Sequence, residues 1–323
     1  MKRIVFLLAA VAALAAAVPV FAQSWPSSPV KMVIPWPPGG GNDILGRKLG
    51  DGLAAALGQP VVVDNRAGAN GMIGAEAVAR AAPDGYTIMF HSVTTHAINP
   101  TFYPNITYDT VRDFAPITLI GEAAHVLVAN PAFAAKSLKE LIDLAKEKPG
   151  TISYASFGSG SSSHLAGELF TNTLGIKLVH VPYKGSGPAL TDTIGGHVPL
   201  FFSTVAAALP AIKAGRVRAL AVTSATRVSM LPDVPTVDEA AGTKGYEMIV
   251  MYGVWAPAKT PQDVVDRLNA DIVKVVKAPA FTAWLQEQGV DPRTSSPAEM
   301  GAYIQAEMPK LERLVKVSGA KAD

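Results

Sequence analysis

The sequence VKMVIPWPPGGGND, residues 30–43, joins an apolar strand to a glycine-rich loop and then to the start of a helix. The same order returns about 120 residues later in TISYASFGSGSSS, residues 151–163. A strand-to-helix turn of this kind aims unpaired backbone N–H groups and the positive end of the helix dipole beyond the carboxyl end of the strand. Two such turns in one chain predict an anion site with donors on two sides.

Apolar strands and amphipathic helices alternate through most of the chain, which predicts an α/β fold with helices on both faces of parallel sheets. In the first half we predict strands at Val30–Trp36, Pro60–Asp64 and Tyr86–His91, and helices at Asn42–Leu57 and Gly71–Ala82. The middle has predicted strands at Thr151–Ser156, Lys177–Val181, Val198–Ser203 and Val217–Thr223, and helices at Ser163–Leu174, Pro188–Ile194 and Val205–Ala214. The last predicted helices are Pro261–Lys277 with Thr260 as N-cap, Pro279–Gln288, and Pro297–Val317 capped by Ser296.

Two apolar extended stretches are long enough to connect the halves of the molecule. Residues 114–129 could cross from one half to the other, and residues 248–255 could cross back. Two crossings favour a hinge between two domains. We therefore predict one domain from residues 23–122 plus 252–323 and a second domain from residues 123–251.

The N-terminus has the features of a secretory signal peptide. Lys2 and Arg3 precede an uncharged run at residues 4–20, and Ala22 offers a small-residue cleavage site, so residues 1–22 are the predicted signal peptide. A retained anchor is the alternative, but a membrane span needs roughly 20 apolar residues, and this run has 17. Removing Lys2 and Arg3 takes the net charge of +2 to zero, which argues against nucleic acid or an anionic membrane as partner.

The sequence lacks the residues that several classes of function require. There is no cysteine, so no disulfide, thiolate nucleophile or thiolate metal site can form. Ile44 and Ser163 stand where the two loops would need the third glycine of a dinucleotide fingerprint, and neither loop has a P-loop Lys-Ser/Thr pair. The six histidines lack metal-binding spacing, and no Gly-x-Ser-x-Gly elbow is present. We expect no cofactor, no metal and no enzymatic activity.

Seven ordered motifs resemble the periplasmic Bug proteins, which are extracytoplasmic solute receptors related to the tripartite tricarboxylate transporter receptor. The resemblance runs from about Trp25 to the C-terminus. The motifs are PPGGGND (37–43), NRAGANG (65–71), APDGY (82–86), YAS (154–156), SSHLA (162–166), VPYKG (181–185) and LPDVPT (231–236).

The resemblance implies a two-domain, periplasmic-binding-protein-like α/β fold around a hinge cleft. It also implies a periplasmic monomer that captures a small organic carboxylate and delivers it to the membrane subunits of a tripartite tricarboxylate transporter. A receptor that signals to a membrane sensor is the alternative, and a secreted hydrolase is the alternative of another class. Family members commonly bind carboxylates through main-chain groups and waters of the two loops, which makes candidates of Pro38, Gly39, Gly40, Gly41, Ser159, Gly160, Ser161 and Ser162.

Each of the other candidate ligand-binding residues could instead have a purely structural role. Asp43 stands in the first helical turn, where a carboxylate ordinarily caps its own helix, with orientation of a bridging water as a second task. Trp36 either fills the core or flanks the ligand. Ser92 and Thr94 follow the third strand, so they either cap the loop there or reach the crevice at the carboxyl ends of the strands. By the resemblance, Tyr183 is either a cleft residue or part of an ordinary turn.

The nature of the acid is predicted from one departure from the resembled family, which often carries acidic residues where this chain has Pro199 and Ser203. Ser203 either borders the cleft or is bonded to a neighbouring backbone group. Because a buried ligand ammonium would need an opposing carboxylate, we expect acids without an amino group. We also expect the affinity for the ligand not to change with pH over the neutral range. We expect Gly40→Val and Gly160→Val each to abolish binding, because valine is strained at positive φ.

Overall fold

The computed structural model describes residues 25–320, so the predicted signal peptide lies outside the described part of the chain. The first half is a parallel three-stranded unit in the order β2-β1-β3. Its strands are β1 (Val30–Ile34), β2 (Val61–Asn65) and β3 (Thr87–Ser92), and its helices are α1 (Gly41–Leu57), α2 (Met72–Ala79) after a short 3-10 turn (Ala69–Gly71), and α3 (Val93–Phe102).

Helix α1 forms because apolar residues recur at helical spacing and are covered by the sheet. Leu45, Leu49, Leu53 and Leu57 are buried, as the periodicity predicts, whereas Ile44 is only partly covered. The helix ends at Gly58, which takes the left-handed conformation that glycine adopts at little cost.

The second half repeats the parallel arrangement in the order β7-β5-β6. Its strands are β5 (Ser153–Ser156), β6 (Val179–Pro182) and β7 (Leu200–Thr204), with helices α4 (Leu138–Glu147), α5 (Ser162–Leu174), α6 (Ser186–Gly195) and α7 (Val205–Lys213). Strand β8 (Arg218–Val222) and helix α8 (Val237–Ala241) follow. The parallel pairing predicted for both halves is confirmed, apart from β8, which pairs antiparallel with the strand that joins the halves.

Two long antiparallel strands join the halves. β4 (Phe114–Ala129) pairs with β9 (Ile249–Pro257) over most of its first part, and its last residues pair with β7. The two run in opposite directions because one leads into the second half and the other returns from it. The boundaries predicted at 122/123 and 251/252 fall inside these strands, and the division into two domains stays a prediction.

The C-terminal part is helical, as predicted. Helices α9 (Gln262–Lys277), α10 (Pro279–Glu287) and α11 (Pro297–Ser318) follow β9, and the short strand β10 (Val290–Pro292) pairs with β4. Ser296 caps α11 in a capping box with Glu299. Thr260 is not the cap of α9; its hydroxyl donates to the Pro257 carbonyl oxygen. Within residues 25–320, no helix is both long and apolar enough to cross a membrane.

Candidate functional site

The first loop, residues 36–41, connects β1 to α1. Gly39 has a φ of +84°, whereas Gly40 is the extended N-cap of α1 with a φ of −85°. The premise for Gly40→Val is therefore wrong, because the left-handed position in this loop is Gly39. A Cβ atom on Gly40 would lie 3.4 Å from Ser186 Cβ, so a side chain there crowds the opposite half without straining the backbone.

Asp43 holds the first loop in shape. Its Oδ2 accepts a hydrogen bond from the Gly39 N–H at 3.0 Å, and its Oδ1 accepts from Asn65 Nδ2 and from Arg47 Nε, each at 2.9 Å. Burial alone would raise the pKa of Asp43, but the Arg47 guanidinium and the two other donors outweigh it and lower this pKa. These contacts favour the structural role for Asp43.

A narrow pocket lies between the first loop and the second half. Residues from the first half line one side and residues from the second half line the other: Trp36, Pro37, Gly40, Gly41 and Asn42 face Phe157, Ser186 and Thr204. The free volume is about 20 Å³, which is room for about one water molecule. The pocket is closed too tightly in this conformation to hold an organic acid.

Three helix N-termini converge on this pocket. Gly41 is the first residue of α1, Ser186 is the first residue of α6, and Thr204 is the N-cap of α7. Neither α1 nor α6 has a side-chain cap, so their first N–H groups lack the hydrogen bonds that a capping side chain supplies. Three positive dipole ends directed at one space, from both halves, favour an anion there.

Buried polar atoms without a partner gather at the same place. Among the residues that the structure describes, Asn42 Oδ1, Ser186 Oγ and the Tyr252 hydroxyl have no hydrogen-bond partner, although each side chain belongs to a buried residue. Tyr252 does not line the pocket but lies directly behind Gly41, since a Cβ atom placed on Gly41 would lie 3.0 Å from its hydroxyl. Buried polar groups in native proteins are nearly always satisfied, so these atoms point to a ligand or ordered water.

The first loop closes on the turn that precedes α6. Gly185 has a φ of +114°, and a Cβ atom there would lie 2.5 Å from Pro37 Cγ. Only glycine permits both the backbone conformation and the close approach. The motif at residues 181–185 therefore supplies the surface against which the first loop packs.

Trp36 is both buried and part of the pocket wall, so each of its two interpretations is partly correct. Its Nε1–H donates to His91 Nδ1 at 3.0 Å, and its carbonyl oxygen accepts from Asn65 Nδ2 at 2.9 Å. Its ring meets the Phe157 ring edge to face across the pocket. Burial lowers the pKa of His91 well below its usual range, and nearby His96 lowers it further, so His91 is neutral at neutral pH.

The second loop, residues 157–162, reaches the pocket only through Phe157. Much of its donor capacity is used within the loop: the Gly158 N–H donates to Ser156 Oγ, the Gly160 N–H to His164 Nδ1, and the Ser161 N–H to the Gly158 carbonyl oxygen. Ser161 Oγ also caps α5 by accepting from the His164 N–H. The predicted donors Ser159, Gly160, Ser161 and Ser162 do not line the pocket.

Gly160 has the positive φ, +73°, that its sequence position predicts. A Cβ atom there would lie 2.6 Å from Phe102 Cδ1, so the glycine allows the loop to pack against α3. Ser159 is engaged with the same helix end, since its carbonyl oxygen accepts from the Tyr103 hydroxyl at 2.6 Å. Ser162 Oγ is buried without a partner among the described residues.

The remaining candidates lie outside the pocket lining. Ser92 Oγ caps α3, and Thr94 Oγ1 accepts from the Met251 N–H of β9. The Tyr183 hydroxyl donates to Asp192 at 2.8 Å, and burial with this carboxylate raises the pKa of Tyr183 to about 12. Ser203 is fully buried beside the lining residue Thr204. Pro38 and Gly39 are exposed on the first loop.

Sequence analysis missed the residues of the second half that face the first loop. Ser186 and Thr204 each stand where a strand or turn leads into a helix, which is the pattern that identified the two glycine-rich loops. A search for every such junction, with or without glycines, would have found them. Tyr252 had no sequence signal, because its place behind Gly41 depends on how β9 pairs within the sheet.

Comparison with known proteins places the chain in a family. Residues 45–320 match the model described as "Tripartite tricarboxylate transporter family receptor". The protein BugT of Bordetella pertussis (strain Tohama I) is 37% identical over 309 residues, which cover 94% of each chain.

Two solved structures are similar along nearly their whole length. Rpa4515 of R. palustris with adipate has a TM-score of 0.89 and 35% identity, covering 92% of this chain and 99% of that one. MatC of Rhodopseudomonas palustris with bound malate has a TM-score of 0.84 and 30% identity, covering 90% and 100%. The predicted periplasmic-binding-protein-like α/β fold is confirmed. The chain belongs to the tripartite tricarboxylate transporter receptor family, and its role is that of a solute-binding receptor.

Proposed function

We propose that the protein captures a small organic carboxylate in the pocket between its halves and delivers it to the membrane subunits of a tripartite tricarboxylate transporter. One observation carries the proposal. The N-termini of α1, α6 and α7 meet at a pocket where Asn42 Oδ1 and Ser186 Oγ have no partner among the described residues, and the unpartnered Tyr252 hydroxyl lies behind Gly41. A carboxylate accepts hydrogen bonds only, so it suits a site in which donors predominate.

The strength of binding requires donors from both halves. A hydrogen bond to a charged group contributes about 1.5–3 kcal/mol, and micromolar affinity needs about 8 kcal/mol before the costs of ordering. Four or five donors would supply this, and the first loop with Ser186, Thr204 and Tyr252 offers that number. One half alone would give millimolar binding at best.

Entry of the ligand requires the halves to separate, because the pocket has room for only about one water molecule. We propose that β4 and β9 act as the hinge between a domain of residues 23–122 plus 252–323 and a domain of residues 123–251. The closed form contacts the ligand from both sides, so the ligand stabilises closure by the difference in affinity between the closed and open forms.

Two similar proteins support the choice of ligand class and location. The adipate and malate in the structures of Rpa4515 and MatC are both dicarboxylates. We propose that this chain works in the periplasm after removal of residues 1–22, since the sequence has a signal-peptide pattern and a member of this family is described as a periplasmic binding protein.

A thermal-shift screen followed by calorimetry tests the ligand class. Succinate, malate and adipate are compared with succinamide, a neutral analogue that has succinate's carbon chain and no carboxylate. We expect at least one of the three acids to raise the melting temperature and to bind with micromolar affinity, and succinamide to do neither. Stabilisation by succinamide equal to that by succinate, or none by any of the acids, would contradict the proposal.

Delivery is tested separately in cells. Uptake of the bound acid is measured with and without the genes for the transporter membrane subunits. We expect uptake to be lost with those genes, and uptake that is unchanged would favour the alternative of a receptor for a membrane sensor.

A further inference from the structure

We infer that the Tyr252 hydroxyl is the donor that holds the innermost oxygen of the bound carboxylate, which makes Tyr252 a specificity-determining residue supplied by the hinge strand β9 and by neither loop. This inference rests on the proposed function of the same pocket.

The ring of Tyr252 is held in place by its neighbours. It is fully buried and stacks on Phe90, with ring centroids 5.9 Å apart and an interplanar angle of 11°. Its backbone pairs with Gly121 of β4. A side chain held in this way loses little conformational entropy when its hydroxyl binds a ligand.

The hydroxyl points at the start of α1. A Cβ atom on Gly41 would lie 3.0 Å from the Tyr252 hydroxyl oxygen and 2.8 Å from Thr204 Oγ1. Tyr252 lies on the hinge strand, Thr204 on the second half and Gly41 on the first. Three parts of the molecule therefore approach one point, and this close approach requires that residue 41 has no side chain.

The hydroxyl has no partner of its own among the described residues. Burial raises the pKa of Tyr252 above its usual value, so the group is a protonated donor at all relevant pH values. A carboxylate oxygen that enters beside Gly41 when the halves separate would accept from Tyr252 and from the N–H groups at the start of α1 together. The N–H groups at the start of α1 cannot accept a hydrogen bond from a ligand ammonium, so the inner end of the site favours an acidic group.

Tyr246 offers a matched control within the same protein. It is also buried, and burial also raises its pKa, but its hydroxyl donates to the Ala166 carbonyl oxygen at 2.9 Å. Removal of the Tyr246 hydroxyl should therefore lower the stability of the fold, whereas removal of the Tyr252 hydroxyl should weaken ligand binding.

The test compares wild type, Tyr252→Phe and Tyr246→Phe by thermal melting without ligand and by calorimetric titration with succinate, malate and adipate. We expect Tyr252→Phe to melt as wild type does and to bind at least tenfold more weakly. We expect Tyr246→Phe to melt about 2–4 °C lower and to bind within twofold of wild type.

Three results would overturn the inference. Affinity of Tyr252→Phe within twofold of wild type would show that the hydroxyl does not touch the ligand. A Tyr252→Phe protein that melts well below wild type or does not fold would show that the hydroxyl has a structural partner. If the wild-type protein binds none of the three acids, the proposed function itself fails and the inference fails with it.

Discussion

The rings of Trp36 and Phe157 meet edge to face across the pocket, with centroids 5.5 Å apart and an interplanar angle of 86°. Trp36 is anchored in the first half by its hydrogen bond to His91, and Phe157 begins the second loop. An aromatic pair of this geometry contributes about 0.5–1.5 kcal/mol beyond its buried area. The contact helps to hold the two halves together at the pocket, and it must shift when an acid enters.

Substitutions at the two glycines should separate stability from binding. We expect Gly160→Val to destabilise the protein by about 2–4 kcal/mol, because it adds strain at positive φ to a clash with the Phe102 ring. Gly40→Val should cost only about 1 kcal/mol as a poorer N-cap, but it should weaken ligand binding by crowding Ser186. Urea unfolding and calorimetry measure the two effects. Equal loss of stability in both variants would be inconsistent with the observed φ values.

Asp43→Asn should loosen the first loop. The charged Asp43 accepts three hydrogen bonds, so we expect a loss of about 1–3 kcal/mol in the free energy of unfolding at pH 7. Because the pKa of Asp43 is lowered in the folded state, its contribution is present above the ordinary carboxyl pKa and is lost as pH falls through the lowered value. Asp51→Asn, at an exposed position of the same helix, is the control and should change stability little. A free energy of unfolding for Asp43→Asn equal to that of wild type would contradict a structural role for Asp43.

The affinity for the ligand should not change between pH 6 and 8, whereas the free energy of unfolding should decrease as the pH is lowered from 6.5. Burial lowers the pKa of His96 and of His125 to about 4, so both are neutral in the folded protein. As pH falls from about 6.5 to 4, both histidines are protonated in the unfolded state but not yet in the folded state. This lowers the free energy of unfolding by at most about 3 kcal/mol for each histidine. Calorimetry and urea unfolding as functions of pH test both statements. A steep loss of affinity between pH 7.5 and 6 would contradict recognition by groups that do not titrate in this range.

Succinate should bind at least tenfold more tightly than aspartate. Among the lining residues the unpartnered side-chain acceptors, Asn42 Oδ1 and Ser186 Oγ, are both neutral, and the carboxylate of Asp43 is already engaged with Arg47, Asn65 and Gly39. A buried ammonium with only neutral partners is costly. Calorimetry of the matched pair decides the question. Tighter binding of aspartate would contradict the preference for acids without an amino group.

The sequence predicts those parts of the protein that depend on local patterns. Strand-helix alternation gives the parallel units, and the glycine-rich loop at residues 36–41 lies at the pocket as expected. Helix α3 was missed because Ser92, Thr94 and Pro100 resemble a loop, although Ser92 caps the helix and Pro100 lies within it. The contribution of Ser186, Thr204 and Tyr252 could not be predicted, because it depends on which strand ends become neighbours when β4 and β9 join the halves.

We propose that a carboxylate binds where the start of α1 meets the second half. Calorimetric titration of wild type, Gly41→Ala and Gly50→Ala, with the acid that stabilises wild type most, tests this placement. A Cβ atom on Gly41 would enter the space beside Thr204 and Tyr252, whereas one on Gly50 of the same helix would make ordinary contacts with Val61 and Val63. We expect wild-type affinity for Gly50→Ala and at least tenfold weaker binding by Gly41→Ala. Wild-type affinity in Gly41→Ala would contradict it.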